Sequence, residues 1–399
     1  MLTSLALIFL VGLATAAICQ RIKLPRIIGM LVTGIVLGPY VLDMLDPSIL
    51  SISAELRQMA LIIILIKAGL TLDISDLKKV GRPAIMMSCI PATFEILAFI
   101  IFAPHILHIT TMEAAVMGAV LGAVSPAVVV PRMVQLIDTK YGTDKSIPQL
   151  ILAGASCDDI FVIVLFSTFV NMAGGGHASA MDFVNIPVSI ILGVSLGSLT
   201  GFILSNFFEA AYRNKSHIRN STKVIIVLGI SFILMAVETW LEGFVSVSGL
   251  LAVMSMACTL KIKCVKSVSG RLSEKFGKLW IAAEVILFVL VGAAVDIRYT
   301  LEAGLPAILM IFIALAIRAV GVSLCLIGTK LNKKERLFCV IAYMPKATVQ
   351  AAIGSVPLAM GLPCGKIVLS VAVLAIIITA PLGAIGMDSS YKKLLKKAN

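Results

Sequence analysis

Charge is what this sequence has least of. Asp, Glu, Lys and Arg make up 14% of its 399 residues, where a soluble globular domain carries about 25%. With 59% hydrophobic residues and a mean hydropathy of +1.06, that scarcity excludes an ordinary soluble domain with a polar surface. Acidic residues are scarcer than basic ones, 21 against 33, leaving a net charge of +12. The excess is not gathered into a patch or arm, so no nucleic-acid partner is expected; it sits in short loops between apolar runs, where membrane topology accounts for it. His105, His108, His177 and His217 are all read as loop residues, which leaves imidazole a weak candidate for a proton relay. The eight cysteines show neither CxxC nor Cys/His ligand spacing, so neither disulfides nor a resident metal is implied. No stretch reads as a separate soluble domain or as low complexity. The first apolar run begins at Met1 with no basic segment before it and no small-residue cleavage pattern. It is expected to be a retained span, not a signal peptide.

What fills the chain is a succession of apolar runs. Those able to cross a bilayer, about 17 to 25 residues with some shorter or interrupted, number thirteen: near 2–20, 25–42, 58–72, 83–104, 113–135, 147–172, 183–206, 222–240, 244–262, 278–297, 304–328, 335–360 and 365–386. The expectation is an all-α polytopic membrane protein with about 13 transmembrane helices. An odd number puts the termini on opposite sides. Of the 33 Lys and Arg residues, Arg57, Arg298 and Lys366 fall on one side and Lys67, Arg318 and Lys346 within runs; the other 27 fall on the opposite side. Basic loops stay in the cytoplasm. The N-terminus is therefore expected outside and the C-terminus inside.

Two runs read as broken. In GAVLGAVSPAVVVPRM, Pro126 and Pro131 remove backbone donors while Gly118, Gly122 and Ser125 loosen the helix around them. In VIAYMPKATVQAAIG, Pro345 and the charged Lys346 lie in mid-run. Paired interruptions in corresponding halves point to a transporter site at the bilayer midplane. The two are seven runs apart, and an odd offset reverses helix direction, so runs 4 to 6 and 11 to 13 are expected to form two inverted repeats with crossed broken helices. Two ordinary proline kinks are the plainer reading.

The run LILAGASCDDIFVIVLF, Leu150 to Phe166, places Asp158 and Asp159 in apolar surroundings. A carboxylate at the centre of a membrane helix costs about 2.5 to 3.5 kcal/mol, so a purely structural helix has no reason to keep two. Successive helical residues point about 100° apart; one carboxylate can hold a partner while its neighbour faces a cavity. Glu95, Glu284, Arg318 and Lys346 are further charges inside runs, and such groups are tolerated only if they pair or face water. Lys67 lies near a run's end, where its stem can reach the interface.

These residues resemble a known family, the monovalent cation/proton antiporters of the NhaA and NapA fold, over nearly the whole chain. GxxLGPYVL at Gly34 to Leu42 is similar to the family's early short span, and LIKAGLTLD at Leu65 to Asp73 to the motif closing its third. Asp158 and Asp159 resemble its double-aspartate motif, and Ser125 with Pro126 and MPKATVQAAIG at Met344 to Gly354 its crossed, unwound helices. Glu95, Arg318 and the last motif are closest to the NHA-type branch. The resemblance implies that Asp159 holds the transported Na+ or Li+ and the proton, with Ser125 nearby and Asp158 salt-bridged, and that Arg318, Glu95 and Lys346 supply salt bridges and charge compensation. It also implies a dimerisation scaffold (1–80 and 216–300), a core ion-transport domain of two repeats (81–175 and 301–388), a linker helix (176–215) and a basic cytoplasmic tail (389–399). With it come a homodimer, a cell-membrane location and elevator-type exchange with no cofactor; no enzymatic activity is expected.

The electrogenic members resembled here carry a lysine where this chain has Arg318. A guanidinium stays protonated in proteins, so exchange of one proton for one ion is expected. A K+/H+ antiporter fits the same residues. A sodium-coupled symporter of this fold would be expected to show Asn, Gln and Glu clusters at the crossing, and an intramembrane aspartyl protease needs its carboxylates on facing helices. A channel is separated from an exchanger only by a flux assay.

Overall fold

The computed structural model describes residues 1–22, 24–71, 81–174, 180–213, 218–241, 247–297 and 304–398. Lys23, Asp73, Lys78, Lys79, His177, Lys215, His217 and Arg298 lie outside the described residues, as do the start of the run at 244 and the boundaries expected near 80, 175, 215 and 300. The described residues form α-helices joined by short connections, with a 3₁₀ turn at Thr143–Lys145 and one isolated antiparallel bridge, Tyr141 to Lys397. In chain order the helices are α1 (Leu2–Arg21), α2 (Arg26–Leu37), α3 (Pro47–Ser51), α4 (Ser53–Thr71), α5 (Arg82–Leu107), α6 (Thr111–Leu121), α7 (Pro126–Asp138), α8 (Ile147–Gly174) and α9 (Ala180–Arg213). They continue with α10 (Asn220–Leu241), α11 (Gly249–Lys263), α12 (Lys266–Ala293), α13 (Gly304–Cys325), α14 (Lys333–Ala342), α15 (Thr348–Gly354), α16 (Val356–Ala359) and α17 (Gly365–Leu394).

Among the described residues, nine helical segments are long and apolar enough to cross a membrane, counting Thr111–Asp138 as one. The four remaining apolar runs fall on α2, α4, α11 and the α14 to α16 series; α2 and α11 are short, α14 to α16 is interrupted, and α4 carries Glu55, Arg57 and Lys67. Helix ends follow local chemistry. Thr110 and Glu113 form a capping box at α6, Asn332 and Glu335 another at α14, and the Ser248 hydroxyl accepts from Leu251 N at α11. Each satisfies donors that a helix start leaves open. His105 is a correction to the loop reading: it lies in the last turn of α5, which continues through Pro104, and His108 caps that helix in the left-handed region.

The chain divides into two compact units. One holds residues 1–54, 73–174 and 287–399. Within it α13 packs along α5, α5 against α6 and α8, and α17 against α14 and α15. The glycines of the GxxLGPYVL motif act as contact points there: a Cβ on Gly34 would overlap the carbonyl of Val289, so a side chain at that position would force α2 away from the end of α12. The paired-helix region of this unit is also its most enclosed. In the Thr111–Asp138 segment 78% of the most apolar window is buried, as broken backbone in a membrane requires. At one end of the unit Arg132 forms a two-pronged ion pair with Asp388, both bonds 3.0 Å, and Lys145 pairs with the buried Glu335 at 2.8 Å. Beside them Gly142 N donates to Lys396 O and Ala398 N to Lys140 O, which fastens the chain after α17 to the α7–α8 connection.

The other unit holds residues 55–72 and 175–286. Its main contact is α9 against α11, where Gly197 lets the helices approach so closely that a Cβ would meet the carbonyl of Ala252. Lys67 sits with its ammonium 5.8 Å from the Trp280 ring centre, a cation–π contact. By contrast with the broken segment, only 17% of the apolar window of α10 is buried, which suits a helix whose surface meets lipid.

Candidate functional site

The candidate site is built where the α6–α7 and α14–α15 interruptions meet. Helix α6 stops at Leu121 and α7 restarts at Pro126, so residues 122–125 are unwound; α14 stops at Ala342 and α15 restarts at Thr348, with 344–347 outside any helix. The physical cause is that prolines 126 and 345 cannot donate to a preceding turn. Pro131, expected to contribute to the break, instead lies inside α7, which continues through it. The two unwound segments touch through the backbone: Ser125 N donates to Pro345 O at 2.8 Å. The Ser125 hydroxyl stands 3.4 Å from that of Thr348.

An unwound segment inside a membrane protein leaves orphan amides and carbonyls that need partners. Here side chains supply them. Val124 N donates to Asp158 Oδ2 at 2.7 Å; the carbonyl of Gly122 accepts from Arg318 Nη1; that of Ala123 accepts from Lys346 Nζ at 3.2 Å and from Gln350 Nε2 at 2.8 Å. On the second segment, Tyr343 O accepts from Arg318 Nε at 2.8 Å, Lys346 N donates to Thr379 Oγ1 at 2.8 Å, and Ala347 N donates to Gln350 Oε1 at 2.7 Å. Two cations thus cap the carbonyl end of α6, and one carboxylate meets an amide before the amino end of α7. Both arrangements oppose the partial charges of helix ends.

The same side chains pair with one another. Arg318 reaches Glu95 Oε2 at 2.7 Å and Asp158 Oδ2 at 3.1 Å, and Lys346 reaches Glu95 Oε2 at 2.5 Å. All four are at most 2% exposed. The guanidinium also lies over the Tyr343 ring, 5.6 Å from its centre.

Asp159 differs from its neighbour. It is buried, 8% exposed, and among the described residues it makes no ion pair, whereas Asp158 pairs through Oδ2; the Oδ1 of each is without a hydrogen-bond partner. With every group ionised the cluster holds three carboxylates, Glu95, Asp158 and Asp159, against two cations, Arg318 and Lys346. The net charge is minus one, and the carboxylate left over is Asp159. A proton or a monovalent cation there would bring the cluster to neutrality.

Asp158, Ser125, Arg318, Glu95 and Lys346 are therefore gathered in one hydrogen-bonded assembly, and Asp159 adjoins it. Glu284 is outside it. The sequence reading gave no role to Thr348, Gln350, Tyr343 or Thr379. The first two lie inside the quoted MPKATVQAAIG motif, where a polar residue in an apolar run was signal enough to flag them. Thr379, in the middle of α17, carried no such signal.

Comparisons with known proteins bear on the family and the fold. A family model described as "Sodium/hydrogen exchanger, transmembrane" matches residues 5–387. Among curated proteins, the chain is 33% identical to human sodium/hydrogen exchanger 9B2 over 392 residues, covering 94% of this chain and 70% of that protein. It is 31% identical to human sodium/hydrogen exchanger 9B1, covering 99% and 78%. Among solved structures, the sodium proton antiporter MjNhaP1 from Methanocaldococcus jannaschii at pH 8 superposes with a TM-score of 0.85 over 98% of both chains, at 21% identity. At that identity the likeness establishes the fold.

Proposed function

This chain belongs to the sodium/hydrogen exchanger family, within the monovalent cation/proton antiporters, and from that premise we propose that it exchanges Na+ or Li+ for H+ across the cell membrane at Asp159. The observation that carries the reading is the surplus carboxylate: Asp159 is buried, unpaired among the described residues, and one charge in excess of the cations beside it. A proton and a cation then compete for one group. When either has neutralised it, the site can move past an apolar barrier; an empty charged site is held back by the cost of carrying an uncompensated charge through low dielectric. That restriction couples the two fluxes without a cofactor.

The rest of the reading follows the same chemistry. Ser125, whose hydroxyl lies beside Thr348, supplies a neutral oxygen to the ion. The crossed helices with α5, α8, α13 and α17 form the moving core, and α1 to α4 with α10 to α12 the scaffold of a homodimer, giving an elevator-type alternation. The N-terminus is outside and the C-terminus cytoplasmic. Arg318 remains protonated through the cycle and stays bound to Glu95 and Asp158, so one proton exchanges for one cation and the cycle is electroneutral. Proteoliposomes carrying a pH gradient test this with Na+, Li+ and K+ in turn, at a clamped membrane potential. The expected result is a cation-dependent collapse of the gradient by Na+ and Li+, with a reversal point set by the two ion gradients alone. Collapse without added cation would make the protein a leak or channel. A reversal point that follows the potential by one net charge would make Lys346 a second proton carrier, and response to K+ alone would make it a K+/H+ antiporter.

A further inference from the structure

Away from the crossing, α13 and α14 enclose a groove of about 530 Å³. Ala319, Ser323 and Leu324 of α13, with Ile327 in the turn beyond it, form one wall, and Leu337 and Val340 form the other. At about 1.5 Å per residue the helical part of the first wall runs about 8 Å. It is mainly apolar and open: Leu324 is 38% exposed, Ile327 57% and Leu337 50%. Such a surface in a membrane protein meets acyl chains and not water.

Basic groups gather around the connection that joins the two helices. Arg336 lines the groove; its Nε and Nη2 donate to Leu331 O and Thr329 O, which fixes the guanidinium while Nη1 makes no hydrogen bond among the described residues. Lys330 is exposed on the same connection, and Lys333 and Lys334 are exposed in the first turn of α14. Arg82 comes from α5, its Nη1 3.9 Å from where a Cβ on Gly328 would stand. From Gly328 to Val340 the only carboxylate is Glu335, which is buried and held by Lys145 at 2.8 Å. Arg336 thus lines the groove, with three exposed lysines and Arg82 on the adjoining connection and helix starts, and Gly328 to Val340 holds no free counter-charge.

We propose that this groove binds an anionic phospholipid, its acyl chain along Ser323, Leu324, Ile327 and Val340 and its phosphate against Arg336 and the lysines. Charge complementarity selects the headgroup, since basic residues beside a membrane attract acidic lipids, and the apolar wall selects a lipid over a soluble phosphate. With the C-terminus cytoplasmic, this end of α13 faces the leaflet in which acidic lipids concentrate. The position also matters for transport. Ala319 directly follows Arg318, and α14 ends one residue before Tyr343, whose carbonyl Arg318 holds. A lipid seated here braces both helices that enter the crossing.

Native mass spectrometry of the detergent-purified full chain, loaded with phosphatidylglycerol or phosphatidylcholine of identical acyl chains, measures this directly. Wild type is expected to retain phosphatidylglycerol preferentially and not to retain glycerol 1-phosphate. Arg336→Gln is expected to weaken retention by about fivefold, and Lys330→Gln/Lys333→Gln/Lys334→Gln by at least as much, as removal of basic residues at an acidic membrane surface predicts. Leu324→Trp fills the groove and should lower retention of both lipids while leaving the thermal unfolding temperature unchanged. Equal retention of the two lipids by wild type, unchanged preference in both charge variants, or unchanged retention in Leu324→Trp would overturn the proposal. Saturable binding of glycerol 1-phosphate alone would replace it with a free-phosphate site.

Discussion

Asp158 and Asp159 are one residue apart on the same buried helix, yet they belong to different regions. Asp158 faces the crossing, where Arg318 and Val124 N hold it, and where every charged group has at least one charged partner. Among the described residues Asp159 makes no ion pair with either cation, and its Oδ1, like that of Asp158, has no hydrogen-bond partner. The crossing uses charge to hold unwound backbone together, and charge used in that way is already spoken for. The neighbouring position keeps a carboxylate whose charge nothing in the described protein cancels. On the proposed reading, the paired aspartate is structural and the unpaired one is available to an ion.

The widest separation is expected from Asp159→Asn. It removes the surplus charge and the titratable ligand, so exchange in proteoliposomes should be abolished, while thermal stability in detergent should hold or rise because no ion pair is lost. Wild-type cation affinity and turnover in this variant would reject the assignment. Asp158→Asn should show the opposite pattern, with lower stability and residual exchange. Its effect is tempered because Arg318 keeps Glu95 and two carbonyls.

The next largest effect is expected inside the crossing. Arg318→Met leaves Glu95 and Asp158 without a guanidinium and strips the carbonyls of Gly122 and Tyr343 of their donor. Breaking a buried pair by removing one partner costs about 3 to 5 kcal/mol, so the unfolding temperature should fall sharply, more than for any single change at Asp159. Equal stability of Arg318→Met and Asp159→Asn would erase the distinction between the two regions.

Gln350→Ala is expected to cost less. Its carboxamide accepts from Ala347 N and donates to Ala123 O, one group on each unwound segment. Ala347 N would be left unsatisfied, at about 1 to 3 kcal/mol, while Ala123 O would keep Lys346 Nζ. Gln350→Glu should be worse than a neutral isostere, because a carboxylate cannot donate to Ala123 O and adds a fourth negative charge. Unfolding measurements on both variants rank them; an unperturbed Gln350→Glu would show that the amide does not connect the segments.

The smallest change is Thr379→Val, which removes the acceptor of Lys346 N while conserving shape, with an expected loss of about 1 kcal/mol. Exchange should persist with native cation preference. If transport were lost while stability held, Thr379 would belong with Asp159 and not with the crossing.

Sequence by itself determined the broad plan. Runs of apolar residues show as helices or interrupted helices, because backbone in lipid has few ways to satisfy itself. Proline fixes where a helix can break, so both unwound segments were legible from Pro126 and Pro345, although Pro131 was absorbed into α7. Buried charge is costly enough that Asp158, Asp159, Glu95, Arg318 and Lys346 stood out without any structure. Tertiary structure decided the partners. The two segments meet through Ser125 N and Pro345 O, residues far apart in the chain, and Gln350 and Thr379 found their roles only once the helices carrying them were packed against the breaks. Periodicity states which way a side chain points on its own helix, not what stands opposite. That is why the local sequence alone does not tell the adjacent aspartates apart: the resemblance implied which one is salt-bridged, and the fold supplies the partners, Arg318 and Val124 N, that hold Asp158.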